Sequence, residues 1–244
     1  MFFAFDVDGT LTPSRERIDP EFESWLLEWI TSQQKYNDNR VLLATGSDLA
    51  KTIEQLGEDI VKQVDFCCNC LGNSVYHKGK LIHEYKFTPS DGLINFLEEQ
   101  LANSAYSEKV GNHIENRGAM INFSIVGRAA QGTQRKRYYE WDKLSGERIE
   151  LAQKINEKFS NEGIAALVGG ETGIDIIPVG LDKRQCINLM AGHIVNFFGD
   201  RMDDAGNDKP LATEVEMLNN GSKCFEVSGW EETWSILKER FIRV

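Results

Sequence analysis

Phe5-Asp6-Val7-Asp8-Gly9-Thr10-Leu11-Thr12 is the stretch on which the reading of this chain turns. The apolar run Met1 to Phe5 ahead of it has the length and composition of a short buried strand. Two carboxylates follow the end of that strand, and Gly9 and Thr10 let the backbone turn sharply beside them. This arrangement suits phosphoryl transfer. One carboxylate attacks phosphorus, and the other gives and takes the leaving-group proton. A cation held between them screens the charge of an incoming phosphate. Asp-x-Asp-Gly also opens calcium loops, but such a loop needs Glu at its twelfth position. Counting from Asp6, that position is Arg17, and a strand precedes the motif where a helix is required.

Outward from this stretch, strand and helix alternate. Asp19-Pro20 is a helix start, with Asp as cap and Pro in the first turn, and Phe22, Trp25, Leu26, Trp29 and Ile30 recur at helical spacing. Val41-Leu42-Leu43-Ala44 reads as a buried strand ending in Thr45-Gly46-Ser47. A helix with Leu49, Ile53 and Leu56 then stops at Gly57, and another strand lies near Val64 to Cys68. This βαβαβ order predicts a parallel sheet with helices on both faces, whose ligands bind beyond the carboxyl ends of the strands. Asp6, Asp8 and Thr45 belong at those ends.

The middle of the chain follows a different pattern. Val75 to His77 and Lys80 to His83 flank a Lys-Gly turn and predict a hairpin. A helical stretch follows near Asp91 to Leu101. Strands are expected at His113 to Asn116, Ala119 to Ile125, Ile164 to Val168 and Ile174 to Ile177, with helices near Gln134 to Trp141 and Glu147 to Phe159 between the pairs. This reads as an α+β domain inserted at 84–181 into an α/β core formed by 1–83 and 182–244. The core resumes with a helix at Asp182 to Met190, strands at Val195 to Phe198 and Cys224 to Val227, and a helix from Trp230 to Phe241.

The composition sets bounds. Hydrophobic content of 41% and charged content of 27% suit a soluble enzyme, and no apolar run approaches the roughly 18 residues of a membrane span. No basic stretch precedes the first strand, so the expectation is a cytoplasmic protein without a signal peptide. A net charge of −11 argues against nucleic-acid and acidic-membrane partners. A phosphate substrate would therefore need a local cluster of Arg and Lys together with a metal. The five cysteines suggest reduced thiols. Cys67 and Cys68 are adjacent in a predicted strand and so point to opposite faces, which favours small buried residues over a zinc site.

Phe197-Phe198-Gly199-Asp200 repeats the logic of the first motif, and Asn207-Asp208 follows after a loop. Mg²⁺ prefers oxygen ligands and keeps several of its waters. Asp6, the backbone carbonyl of Asp8, and Asp200 can supply the protein share. Lys183, at the start of a core helix, can hold a phosphate and balance Asp6. Thr45 or Ser47 can donate a hydroxyl to the same phosphate, although Ser47 also suits the role of helix cap.

These four elements, in this order, resemble the haloacid dehalogenase superfamily of phosphotransferases. The inserted domain carries Ile114-Glu115-Asn116-Arg117-Gly118-Ala119-Met120-Ile121-Asn122-Phe123-Ser124, then Gly127-Arg128, Arg135, Tyr139-Glu140-Trp141-Asp142, Gly169-Gly170 and Asp175, and Asp182-Lys183-Arg184 follows directly after it. It resembles the cap of the eukaryotic-type phosphomannomutases, and the similarity runs nearly end to end. The resemblance implies a Rossmann-like α/β core with a parallel sheet and an inserted α+β cap. It implies Asp6 as nucleophile and Asp8 as acid/base, with Mg²⁺ on Asp6, Asp200 and the Asp8 backbone. Sugar-phosphate contacts would come from Arg15 in the core and from Arg117, Arg128, Arg135 and Asp175 in the cap, and a homodimer would form through the caps. Three positions depart from the family pattern. Gly173 replaces a serine, with Thr172 beside it; Glu214 and Met217 stand where a second cation site expects aspartate and threonine; and Thr45 replaces a glycine.

The cap arginines make chemical sense in their own right. Arg117 and Arg128 each follow a predicted strand, so antiparallel pairing can bring them together. Guanidinium groups grip phosphate bidentately. The expected activity is a hexose phosphate mutase acting between mannose 6-phosphate and mannose 1-phosphate. The alternatives are a sugar phosphate phosphatase of the same fold, favoured by Gly173 and Thr45, and a non-catalytic binding protein, disfavoured by the presence of Asp6, Asp8, Lys183 and Asp200.

Overall fold

A computed structural model describes residues 1–204 and 206–241. In chain order the elements are β1 (Phe2–Phe5), α1 (Pro20–Asn37), β2 (Arg40–Ala44), α2 (Leu49–Leu56), α3 (Glu58–Gln63), β3 (Phe66–Asn69), β4 (Ser74–His77), β5 (Lys80–Glu84), α4 (Asp91–Asn103), β6 (Ile114–Asn116), β7 (Ile121–Phe123), α5 (Gly132–Ser145), α6 (Glu147–Phe159), β8 (Ile164–Gly169), β9 (Gly173–Pro178), β10 (Val195–Gly199), α7 (Lys209–Met217), β11 (Lys223–Glu226) and α8 (Trp230–Arg240). They fall into two compact units. The first comprises Met1–Glu84, Asp182–Asp204 and the described residues from Asp208 onward; the second is Tyr85–Leu181 with Gly206 and Asn207.

The first unit is built on a sheet of order β11-β10-β1-β2-β3-β4-β5. β1 lies inside it, parallel to both β10 and β2. Because strand side chains alternate, its apolar run serves two cores. Phe3 and Phe5 pack with Trp29, Phe22 and Leu26 of α1 on one face, while Phe2 and Ala4 pack with Leu42, Phe197, Leu211 and Val215 on the other. Asp19 caps α1 as its sequence suggests, its carboxylate accepting the backbone N–H groups of Glu21 and Phe22.

The structure amends the expected core in three places. The sheet is not wholly parallel, since β4 and β5 extend it as an antiparallel hairpin. Lys183–Met190 is a 3₁₀ helix. The short helices α3 and α7 were not legible as separate elements, α3 because it follows α2 after the single residue Gly57. Cys67, Cys68, Cys70 and Cys186 are buried thiols, and burial pushes the Cys67 thiol up to about 12, away from thiolate chemistry.

The second unit carries an antiparallel sheet of order β6-β7-β9-β8. One face is apolar: Ile121, Phe123, Ile174, Ile176 and Val168 pack with Leu97 of α4 and with Leu151, Ile155 and Phe159 of α6. The pairing sets Glu115 opposite Asn122 and Asn122 opposite Asp175, so these polar side chains share the other face. Among the described residues no helix is long and apolar enough to cross a membrane.

Candidate active site

Parallel pairing of β1 with β10 and β2 brings three strand ends together in the first unit. Asp6 follows β1, Asp200 follows Gly199 at the end of β10, and Thr45 follows β2; the Asp6 N–H donates to the Phe198 carbonyl at 2.9 Å. The chain then folds back tightly, with the N–H groups of Leu11 and Thr12 both bonded to the Val7 carbonyl. Gly9 sits in this turn at φ +80°, and a Cβ there would lie 2.5 Å from Asp200 Oδ2. Both its conformation and the approach of Asp200 require glycine.

Lys183 is fully buried, and its Nζ donates to Asp6 Oδ1 and to Asp208 Oδ1, each at 2.6 Å. The preceding Asp182 caps the 3₁₀ helix by accepting the Arg184 N–H at 2.9 Å. Asp208 is fully buried as well, and its Oδ2 accepts the Arg201 N–H at 3.1 Å. Carboxylate oxygens of Asp6, Asp200 and Asp208 lie within 4.8 Å of one another. One ammonium thus faces three carboxylates. Burial drives the Asp6 carboxyl well above the ordinary range, and the charges of Asp208 and Asp200 push it further against the pull of Lys183. Asp200 is pushed up to about 7, by burial first and by Asp208 second. For Lys183, burial favours the neutral amine, but Asp208 and Asp6 outweigh it and hold the ammonium protonated. The surplus of buried negative charge, all on hard oxygen donors, fits a divalent cation.

Asp8 faces a different set of groups. Its Oδ1 accepts the Arg15 backbone N–H and Gln55 Nε2, the latter at 3.0 Å, and its Oδ2 accepts the Ser47 hydroxyl at 3.3 Å. Arg15 holds a left-handed backbone conformation at φ 61°, and its carbonyl accepts Lys51 Nζ at 3.0 Å. Thr45 Oγ1 accepts the Ser47 N–H at 3.0 Å, so its own proton is left to donate. Ser47 is not the helix cap. Asp48 fills that position and accepts the Lys51 N–H at 2.8 Å, which leaves Ser47 to orient Asp8.

The second unit gathers arginines. Arg117 follows β6 and Arg128 follows β7, and both reach Glu115 Oε2: Arg117 Nη2 at 2.6 Å and Arg128 Nε at 3.2 Å. Arg135, on α5, donates to Thr172 Oγ1 at 3.1 Å and to Glu171 Oε2 at 3.2 Å, in the turn between β8 and β9. The three arginine side chains are 6%, 9% and 9% exposed, whereas those of Glu115 and Glu171 are 32% and 40% exposed. Asp175 is buried on β9, and its Oδ1 accepts Asn122 Nδ2 at 2.7 Å.

Sequence reasoning missed several residues that shape these clusters: Gln55 against Asp8, Glu115 between two arginines, Asn122 against Asp175, and Arg148. Arg148 pairs with Asp142 through Nε at 2.7 Å and donates to the Gly170 carbonyl at 2.8 Å, which ties down the β8–β9 turn. Asn122 left a trace in the sequence, as the polar member of the strand Ile121-Asn122-Phe123. Arg148 left none, because its partners are a helix end and a turn carbonyl that only the fold brings near.

Comparison with known proteins agrees with this geometry. Residues 31–242 match the eukaryotic phosphomannomutase family. Phosphomannomutase 1 of Mus musculus is 32% identical over 215 residues, covering 84% of this chain and 80% of the relative. A phosphomannomutase of Schizosaccharomyces pombe is 30% identical over 249 residues, covering 97% of this chain and 93% of the relative. A haloacid dehalogenase-like hydrolase from Bacteroides thetaiotaomicron superposes with a TM-score of 0.59 at 14% identity, over 96% of this chain and 98% of that one, and so shares its fold. With a haloacid dehalogenase fold beneath it, the chain belongs to the eukaryotic phosphomannomutase family.

Proposed function

We propose that this chain interconverts mannose 6-phosphate and mannose 1-phosphate through an aspartyl phosphate and a hexose bisphosphate. The observation that carries the reading is the presence of two separate phosphate-competent clusters, one per unit, in a chain of this family. A mutase must hold a reacting phosphate and a distant one, whereas hydrolysis of a monophosphate needs only the first. The first unit acts as the catalytic core and the second as the substrate-reading cap.

In the core, an Asp6 carboxylate oxygen bonds to phosphorus as the bond from phosphorus to the sugar oxygen breaks. Asp8 gives that oxygen a proton, and in the return step it takes one from the attacking hydroxyl. Gln55, Ser47 and the Arg15 backbone fix where Asp8 points. Lys183 and Thr45 bind the reacting phosphate, and Lys183 also orients Asp6. Asp6, Asp200 and the Asp8 backbone carbonyl would hold Mg²⁺, which offsets the charge between phosphate and carboxylates. Arg117, Arg128 and Arg135 read the distant phosphate, Asp175 reads the sugar, and Arg15 is a sugar-phosphate contact in the core. A homodimer formed through the second unit belongs to the same reading.

Incubation with mannose 1-phosphate, with and without a hexose bisphosphate, tests the reading, with glucose 1-phosphate as comparison. Accumulation of mannose 6-phosphate without matching phosphate release is the expected result. Stoichiometric release of phosphate would assign a phosphatase instead.

A further inference from the structure

Asn122 stands in β7 in register with Glu115 on one side and Asp175 on the other. Its neighbours Ile121 and Phe123 enter the apolar core, while Asn122 itself lies on the polar face of the sheet and is only 5% exposed. Its Nδ2 donates to Asp175 Oδ1 at 2.7 Å. Its Oδ1 has no hydrogen-bond partner among the described residues. A buried acceptor left in this way lowers stability, and an apolar side chain of similar volume would avoid that cost. What an apolar side chain cannot supply is a donor that directs Asp175.

Gly173 fits the same account. A Cβ at this position would lie 2.7 Å from Asn122 Nδ2 and 3.1 Å from Oδ1, so the carboxamide fills the space a side chain would need. The Gly173 carbonyl faces Arg148 Nη1 at 3.4 Å, within the network that ties down this turn. On the far side of Asp175, a Cβ on Gly169 would overlap the carboxylate. Asp175 is therefore confined between an amide donor and a bare stretch of backbone, and its direction is set by both.

We infer that Asn122 is a positioning residue, which aims the Asp175 carboxylate at the sugar phosphate, and that residue 173 is glycine because the Asn122 carboxamide occupies the side-chain space. The inference rests on the reading of Asp175 as a substrate contact. The test is KM and kcat for mannose 1-phosphate in Asp175→Ala, Asn122→Ala, Gly173→Ala and the double variant Asn122→Ala/Gly173→Ala. Asp175→Ala and Asn122→Ala are each expected to raise KM roughly 10-fold while kcat stays within about two-fold. Gly173→Ala alone raises KM by a similar factor, because its methyl displaces the carboxamide. In the Asn122→Ala background the same methyl enters vacated space and adds less than about two-fold. Asn122→Leu keeps much of the side-chain volume but has no donor, so it shows the same KM increase and covers the case in which the alanine variant fails to fold. Unchanged KM in the Asn122 variants, alongside a raised KM in Asp175→Ala, overturns this inference and leaves the substrate reading standing. Unchanged KM in Asp175→Ala overturns both. Factors that multiply in the double variant remove Gly173 from the account.

Discussion

The two units each bury charge, with opposite imbalances. In the first, Asp6, Asp200 and Asp208 converge on one ammonium, Lys183, and nearly all of this charge lies away from solvent. In the second, the arginine ends are buried and the carboxylates that neutralise Arg117, Arg128 and Arg135 stand partly in water on Glu115 and Glu171. A buried carboxylate that lacks a counter-charge is costly, so the first cluster calls for an added cation. A half-exposed carboxylate is held weakly and can give way to a better anion, so the second cluster suits exchange of glutamate for phosphate. On the proposed reading, the first cluster makes and breaks bonds and the second recognises substrate.

If that division holds, losses in the first unit should strike every substrate. Asp6→Asn removes the nucleophile, and turnover of mannose 1-phosphate and of a small aryl phosphate should both fall by roughly 10⁴-fold or more, with substrate binding retained. Near-normal turnover would show that another group attacks phosphorus. Asp8→Ala should slow the sugar phosphate by roughly 100-fold or more, and the aryl phosphate less, since its leaving group needs little protonation. Steady-state rates on both substrates measure the difference.

How much of this was readable from residues alone follows the same division. The first unit was legible because its site lies at strand ends, and the strands are unbroken apolar runs such as Phe2–Phe5 and Val195–Gly199, each leading directly into Asp6 or Asp200. Lys183 was legible from its place after the insertion, but its partnership with Asp208 was not, since it depends on a loop folding back over the strand end. In the second unit, β7 is three residues long and offers almost no periodicity, so its expected span of Ala119 to Ile125 was too wide. Which faces carried Glu115, Asn122 and Asp175 depended on register, and register is set by pairing that no single strand encodes. That the helix expected at Asp182 to Met190 is of the 3₁₀ kind was illegible for a related reason: its cap and buried side chains suit either helix.

Arg135→Ala sharpens the comparison from the other side. The guanidinium should touch only the distant phosphate, so its loss should raise KM for mannose 1-phosphate roughly 10-fold and lower turnover, because remote binding energy orients the reacting end. Hydrolysis of a small aryl phosphate, which carries no second phosphate, should barely change. Equal losses on both substrates would erase the division between bond-making and recognition.

The smallest effect expected is one of stability, and it tests the charge imbalance in the first unit directly. Asp200 has a folded-state pKa of about 7, above its ordinary value near 3.8, and Asp6 is raised in the same direction. A carboxyl raised on folding binds its proton more tightly in the folded chain. Its stabilising contribution is therefore complete below the ordinary pKa and fades as pH climbs through the folded value. Lys183 is raised from an already high value, so it keeps its charge throughout this range and adds no slope. With a chelator present, the thermal midpoint should fall as pH rises from about 5 to about 8, by roughly 2–4 °C for each kcal/mol lost. Asp200→Asn cannot ionise and should flatten that slope. Mg²⁺ at saturating concentration should flatten it too, because a bound cation favours the ionised carboxylates and adds its own binding free energy. A slope unchanged by Asp200→Asn would mean that the three carboxylates are already balanced and that no cation is needed to complete them.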